Sequence, residues 1–232
     1  TAVDRAEAEP NEAMRVNGQG TANVCRACEA AGARVVYLST DYVFDGTARS
    51  PIPPEAQPSP VGAYARSKAE GERAVRDAKG AWLIVRTGWT YGPGGQNFVD
   101  AMRMAAVERR PVRVVSDQRG APTATRLIAE SLWGLLMRDA TGVWHVMASG
   151  LATWFDVARA VFEDAGAPAG LVTPCTTEEL GRPAQRPANS QLDCGTTEAR
   201  IGFAMPHWRQ AVRRYIRTGL LPANGVIGGG DA

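Results

Sequence analysis

Arg34-Val-Val-Tyr-Leu-Ser-Thr40 runs without a break into Asp41-Tyr-Val-Phe-Asp-Gly46. The first seven residues are mostly apolar and rich in β-branched side chains, which suits a strand buried in a parallel sheet. Just upstream, Ala6 to Gly32 reads as a helix that Gly32 stops. Downstream the plan repeats with a Pro-rich loop from Pro51 to Pro60, a helix over 63–78, strand Trp82-Leu-Ile-Val-Arg-Thr87 and a glycine loop at Gly92-Pro-Gly-Gly95. The alternation continues through helix 97–109, strand 112–116, helix 123–138, strand 143–148 and helix 153–165. Helices alternating with strands predict an α/β fold whose parallel sheet is linked by crossover helices. Residues 167–192, rich in Pro, Thr and Gly, read as loop, 206–218 as a last helix and 222–232 as a disordered tail.

Composition narrows the function classes. With 44% apolar residues over 232 positions, the chain can bury a proper core. A formal charge of +2, from 26 basic and 24 acidic residues spread along the chain, leaves no footprint for nucleic acid or an anionic membrane. No apolar run is long enough to span a bilayer, and the first ten residues are acidic and polar where a signal peptide would be basic and then apolar. A cytoplasmic protein is expected. Of the four cysteines, Cys25 and Cys28 form a CxxC inside the first helix, with no second CxxC and no nearby His; they read as small buried residues, not as a zinc or redox site.

Five positions carry candidate chemistry. Tyr64 and Lys68 stand four residues apart on a predicted helix and share one face. A free phenol titrates near pH ~10, and a neighbouring ammonium lowers that value. Such pairs often lie on solvated faces, but this chain holds only two lysines, Lys68 and Lys79, against 24 arginines. A guanidinium cannot replace an ammonium in tuning a proton acid, so a lysine kept here is suggestive. Thr40 ends its strand at the carboxyl edge, where open α/β sheets place ligands, and its hydroxyl can donate to a substrate carbonyl oxygen. The plainer reading is that Thr40 and Asp41 cap a turn. Trp89, just after a strand, reads either as core or as a flat ring for a base or sugar.

Together with Thr1-Ala-Val-Asp-Arg-Ala-Glu7, Arg86-Thr-Gly-Trp89, Asp117-Gln-Arg-Gly-Ala-Pro-Thr123 and Arg186-Pro-Ala-Asn-Ser190, these motifs resemble the dTDP-4-dehydrorhamnose reductase family of extended short-chain dehydrogenases/reductases, over residues 1 to about 220. The resemblance implies a partial doubly wound, Rossmann-like parallel sheet lacking its N-terminal half. Residues 1–92 would be the nucleotide-binding part and 93–221 mainly a smaller substrate-binding lobe, with some elements returning to the sheet. It implies reduction of the C4 ketone of a nucleotide sugar by NADPH or NADH, in the synthesis of a cell-surface polysaccharide precursor. Tyr64 would be the proton donor, Lys68 would hold the nicotinamide ribose and tune Tyr64, and Thr40 would set the proton balance. Thr1 would lie beside the cofactor. Thr40, Asp41 and Trp89 would touch the substrate, joined by Arg186, Asn189 and Ser190 from the lobe; the guanidinium fork of Arg186 suits a diphosphate.

Sibling dehydratases need an Asp-Glu pair directly after the Thr, and here Asp41 is followed by Tyr42, so a reductase is favoured. The resemblance leaves two alternatives: a non-catalytic regulatory subunit like the β subunit of methionine adenosyltransferase, or a reductase or epimerase of another nucleotide sugar. A homodimer is compatible with it. The family's acidic, magnesium-mediated dimer contact meets Arg126, so no metal site is expected. The family's opening strand and GxxGxxG turn, which place a pyrophosphate on a helix N-terminus, have no counterpart among residues 1–232. About two βαβ units are expected to be absent, leaving strand 34–40 as an exposed apolar edge and this chain alone poorly folded and weakly active.

Overall fold

The computed structural model describes residues 2–218; Thr1 and the tail 222–232 lie outside the described residues. Helices α1 (Val3–Ala8), α2 (Pro10–Met14) and α3 (Gly20–Ala31), the last two joined by a π-helical turn at Arg15–Gln19, lead into strand β1 (Val35–Thr40). Then come α4 (Ala63–Arg76), β2 (Trp82–Thr87), β3 (Thr90–Tyr91), α5 (Phe98–Val107), β4 (Val112–Val115), β5 (Arg119–Gly120), β6 (Thr123–Ala124) and α6 (Thr125–Leu136). The last elements are β7 (Gly142–His145), β8 (Ala152–Thr153), α7 (Trp154–Asp164), β9 (Val172–Cys175), α8 (Thr177–Leu180), α9 (Gly195–Ile201) and α10 (Trp208–Arg217).

The main sheet is parallel with the order β1-β2-β7. Register sets Thr40 beside Thr87 and Arg86 beside His145, so the carboxyl ends of all three strands finish together. Side chains of β2 alternate between two cores. Leu83 and Val85 enter the large cluster, which also takes in Val99, Leu135, Phe162 and Val212 from the later helices, while Ile84 joins Cys25, Val35 and Val75 in a smaller one. Apolar packing on both faces is what a doubly wound sheet requires, and it explains why β2 opens with four apolar residues, Trp82-Leu-Ile-Val85. Cys25 is filler in the smaller core; burial pushes its thiol up. The outer strand β1 leaves Val36 39% and Leu38 49% exposed, an apolar edge as expected for this strand.

Three expectations change. The single helix 6–32 is interrupted: Glu9 leaves helical geometry at φ −128°, ψ 58°, and Pro10 restarts the helix at a position where its missing N–H is no loss. The stop at Gly32 stands, in the left-handed conformation at φ 62°. Second, the 167–192 region contains β9, which pairs in parallel with β4 from Val112↔Val172 to Val115↔Cys175. Pro174 hid it, because proline is tolerated only where its nitrogen faces away from a ladder, as in this edge strand. Third, Thr123 and Ala124 are not helix but strand, paired with Thr90 and Tyr91.

Candidate active site

A cavity of about 590 Å³ opens at the carboxyl edge of the main sheet, lined by Thr40, Asp41, Tyr64, Lys68 and Trp89 among others. Sequence distance between these five reaches half a hundred residues, and the register of β1 with β2 is what brings them together. Thr40, in extended geometry at φ −138°, ends β1; its hydroxyl donates to Asp41 Oδ1 at 3.0 Å and accepts from the Tyr42 backbone N–H at 3.2 Å. Tyr64 and Lys68 leave the first turns of α4, whose N-terminus is held by the Glu7 carboxylate accepting from Ala63 N–H at 2.6 Å. Ser67 ties this turn to the π-helical segment: it donates to Tyr64 O at 2.8 Å and accepts from Asn17 Nδ2 at 3.0 Å.

Burial dominates the electrostatics of the site. Lys68 Nζ donates to Leu38 O at 2.8 Å and sits 4.1 Å above the Tyr37 ring, so the ammonium is anchored on β1. Burial pushes the Tyr64 phenol up to about 12, the Thr40 hydroxyl opposes that rise and the Asp41 charge adds to it. With burial the leading cause, the phenol is protonated at neutral pH in this arrangement. Burial also lowers the Lys68 ammonium to about 8, against the pull of Glu72. Asp41, only 2% exposed, is raised by burial to about 6; the hydroxyls of Ser190 and Thr40 hold it back, while Oδ2 makes no close hydrogen bond. Thr40 has a single hydroxyl proton, which can serve the Asp41 carboxylate or a Tyr64 phenolate but not both.

Trp89 has φ 51°, a left-handed backbone that is uncommon for a bulky residue. One face of its indole is stacked on Trp154, with ring centroids 3.7 Å apart and planes within 8°, and Phe98 meets Trp154 edge-on. Trp154, Phe98, Thr125 and Leu132 line the apolar side of the cavity, and Tyr42 abuts Tyr64 edge-on at 5.8 Å. Sequence reasoning passed over these. Tyr42 was visible within the strand-end motif; Trp154 had no signal beyond a helix start.

The lobe residues divide. Ser190, 1% exposed, sits against Asp41 beneath the cavity. Arg186 and Asn189 are not among the residues that line it. The Arg186 fork grips Asp4 of α1, with Nη1 3.1 Å from Oδ1 and Nη2 2.8 Å from Oδ2, and Arg182 adds a third contact at 3.5 Å. The guanidinium beside Asp4 holds that carboxyl below its usual range. Asn189 donates to Ala48 O at 2.7 Å and fixes the loop after β1. Among the described residues no group of three or more His, Cys, Asp or Glu is placed to hold a metal ion, and no helix is long and apolar enough to cross a membrane.

Residues 1–220 match the family model described as RmlD substrate binding domain. A dTDP-4-dehydrorhamnose reductase of Sinorhizobium fredii is 39% identical over 226 residues, covering 93% of this chain and 76% of that protein. A dTDP-4-keto-6-deoxy-D-glucose reductase of Streptomyces niveus is 39% identical over 219 residues, covering 91% and 74%. The crystal structure of the Bacillus anthracis dTDP-4-dehydrorhamnose reductase in complex with NADP superposes with a TM-score of 0.89 at 36% identity, covering 94% of this chain and 77% of that one.

Proposed function

The chain belongs to the RmlD substrate binding domain family, and from that premise we propose that it reduces the C4 ketone of dTDP-4-dehydro-L-rhamnose to give dTDP-L-rhamnose, with NADPH or NADH as the reductant. The observation that carries this reading is the meeting of Tyr64, Lys68 and Thr40 on one cavity at the sheet's ligand edge. The phenol and ammonium on the Leu38 side of that cavity fit the nicotinamide-ribose end of a dinucleotide, which Tyr64 and Lys68 would hold. When bound, that cofactor supplies a hydride to C4.

Reduction leaves negative charge on the C4 oxygen, and the residues present answer it. Tyr64, its pKa pushed up to about 12, is protonated at neutral pH and hands its proton to that oxygen. The Thr40 hydroxyl turns from Asp41 to the phenolate so formed, and the Lys68 ammonium lies one helical turn away to balance the charge. Asp41 orients Thr40 in the resting site and, with Trp89, faces the sugar. Nothing more is needed for adding hydride and one proton; the second carboxylate of a dehydratase is missing, since Tyr42 follows Asp41. We read residues 1–92 as the cofactor side and 93–221 as mainly the substrate side, with β7 returning to the sheet.

A second reading, reduction of a different 4-keto-6-deoxy sugar nucleotide, is favoured by the name of the Streptomyces niveus relative. Consumption of NADPH by the full-length protein with a panel of dTDP-4-keto sugars separates the two. Tyr64→Phe is expected to lower kcat/KM at least ~100-fold, the range for loss of a general acid. Undiminished turnover in that variant sinks the proposal, and no oxidation with any sugar, together with copurifying methionine adenosyltransferase, favours a regulatory subunit.

A further inference from the structure

One helical turn beyond Lys68, the carboxylate of Glu72 is 1% exposed and accepts four hydrogen bonds. Ser39 Oγ donates to Oε1 at 2.6 Å, Arg86 Nε to Oε1 at 2.8 Å and Nη2 to Oε2 at 2.7 Å, and Arg76 Nη2 to Oε2 at 3.1 Å. Arg86 is itself 0% exposed. Burying such a pair is a poor route to stability, because desolvation of both ions offsets most of their attraction. What the pair does supply is position. Ser39 immediately precedes Thr40, Arg86 lies two residues before Gly88, and Glu72 shares α4 with Tyr64 and Lys68. A single side chain therefore registers the helix that carries the proton donor against the strand ends that carry its partners.

We propose that Glu72 is a positioning residue of the reduction, holding α4 in register with the ends of β1 and β2 and keeping Lys68 an ammonium by its charge. The proposal rests on the reductase reading. Burial draws Lys68 down to about 8 even with the Glu72 carboxylate opposing that shift. The other ionisable groups turned toward this part of α4 include Tyr64 and Arg76 on the helix itself, Tyr37 of β1, Asp41 and Tyr42 just past it, Glu7 of α1 and Arg86 of β2. The π-helical turn contributes the neutral Asn17 and α3 the Cys25 thiol near Tyr37. Glu72 itself stays ionised: burial works against it, but the Arg86 guanidinium wins and its pKa is lowered.

Two variants test this in the full-length protein. Glu72→Gln keeps the shape and an acceptor for Ser39 but removes the charge; the Lys68 titration is expected to move to lower pH, and the alkaline limb of kcat/KM to move with it. The titration is read by NMR on ¹³C-methylated protein, with the Lys68 signal assigned by its loss in Lys68→Met, so it needs no turnover. A protein that fails to reduce any sugar thus overturns the reductase reading while this measurement still judges Glu72. Ser39→Ala keeps the Glu72–Arg86 pair and frees only the strand end; kcat is expected to fall about tenfold at unchanged KM, the worth of one hydrogen bond to a charged group. An unmoved Lys68 titration in folded Glu72→Gln, or a parental kcat in Ser39→Ala, overturns the proposal. Should Glu72→Gln not fold, Ser39→Ala decides alone.

Discussion

Arg86-Thr-Gly-Trp89 shows how much one short motif is asked to do. Arg86 closes the buried ion network, Thr87 sits in register with Thr40, and Trp89 turns through a left-handed backbone into the cavity. Gly88 is there for space: a Cβ at this position would lie 2.5 Å from Asp41 Cγ and within 2.7 Å of both its oxygens. Because Asp41 is buried and bonded to Thr40, it has little room to give way. Gly88→Ala is therefore expected to displace Asp41 and cost about 1–3 kcal/mol through overpacking, with a raised KM for the sugar nucleotide. Urea unfolding together with steady-state kinetics reads both; a variant with parental stability and KM would show that Asp41 moves freely. The Trp89 ring both packs on the core and lines the cavity.

At the scale of elements, α7 and its entry strand reach into the site from a distance. Thr153 caps α7: its hydroxyl accepts from Asp156 N–H at 3.1 Å, and the Asp156 carboxylate accepts from Thr153 N–H at 2.9 Å. The same Thr153 pairs with Arg119 across β5 and β8, next to Gly120, on which the edge of Trp89 rests. Thr153→Ala is expected to cost about 1 kcal/mol, as loss of a capping box usually does, measured as a shift in the urea midpoint at unchanged slope. The long helices and the three main strands were legible because their periods are local. The two-residue strands and β9 were not, because a single pair of ladder bonds leaves no period to read, and Pro174 argues against a strand.

Across the whole molecule, His145 joins parts far apart in sequence. Its Nδ1–H donates to Ile52 O at 3.1 Å, Arg86 approaches Nε2 at 3.5 Å, and its own carbonyl accepts from Thr197 at 2.7 Å. Burial and then the Arg86 charge lower its pKa from 6.5 to about 4. The unfolded chain therefore binds this proton more readily than the folded one. His145 contributes no penalty above pH ~6.5, and stability falls as pH drops from there toward pH ~4, by about 3 kcal/mol if His145 acts alone. Comparing urea unfolding at neutral pH and near pH ~4.5 in the parent and in His145→Gln isolates this contribution, and an equal acid loss in both would contradict it.

By itself the sequence determined the alternation of helix and strand, the shared face of Tyr64 and Lys68, and the placing of Thr40 at a strand end, since each depends on neighbours within a few residues. Tertiary structure alone decided that Arg186 grips Asp4 across 182 residues, that Trp89 stacks on Trp154, and that burial raises the Tyr64 phenol. Those outcomes hang on which side chains meet and how much water is left between them, and neither quantity is written in a local pattern.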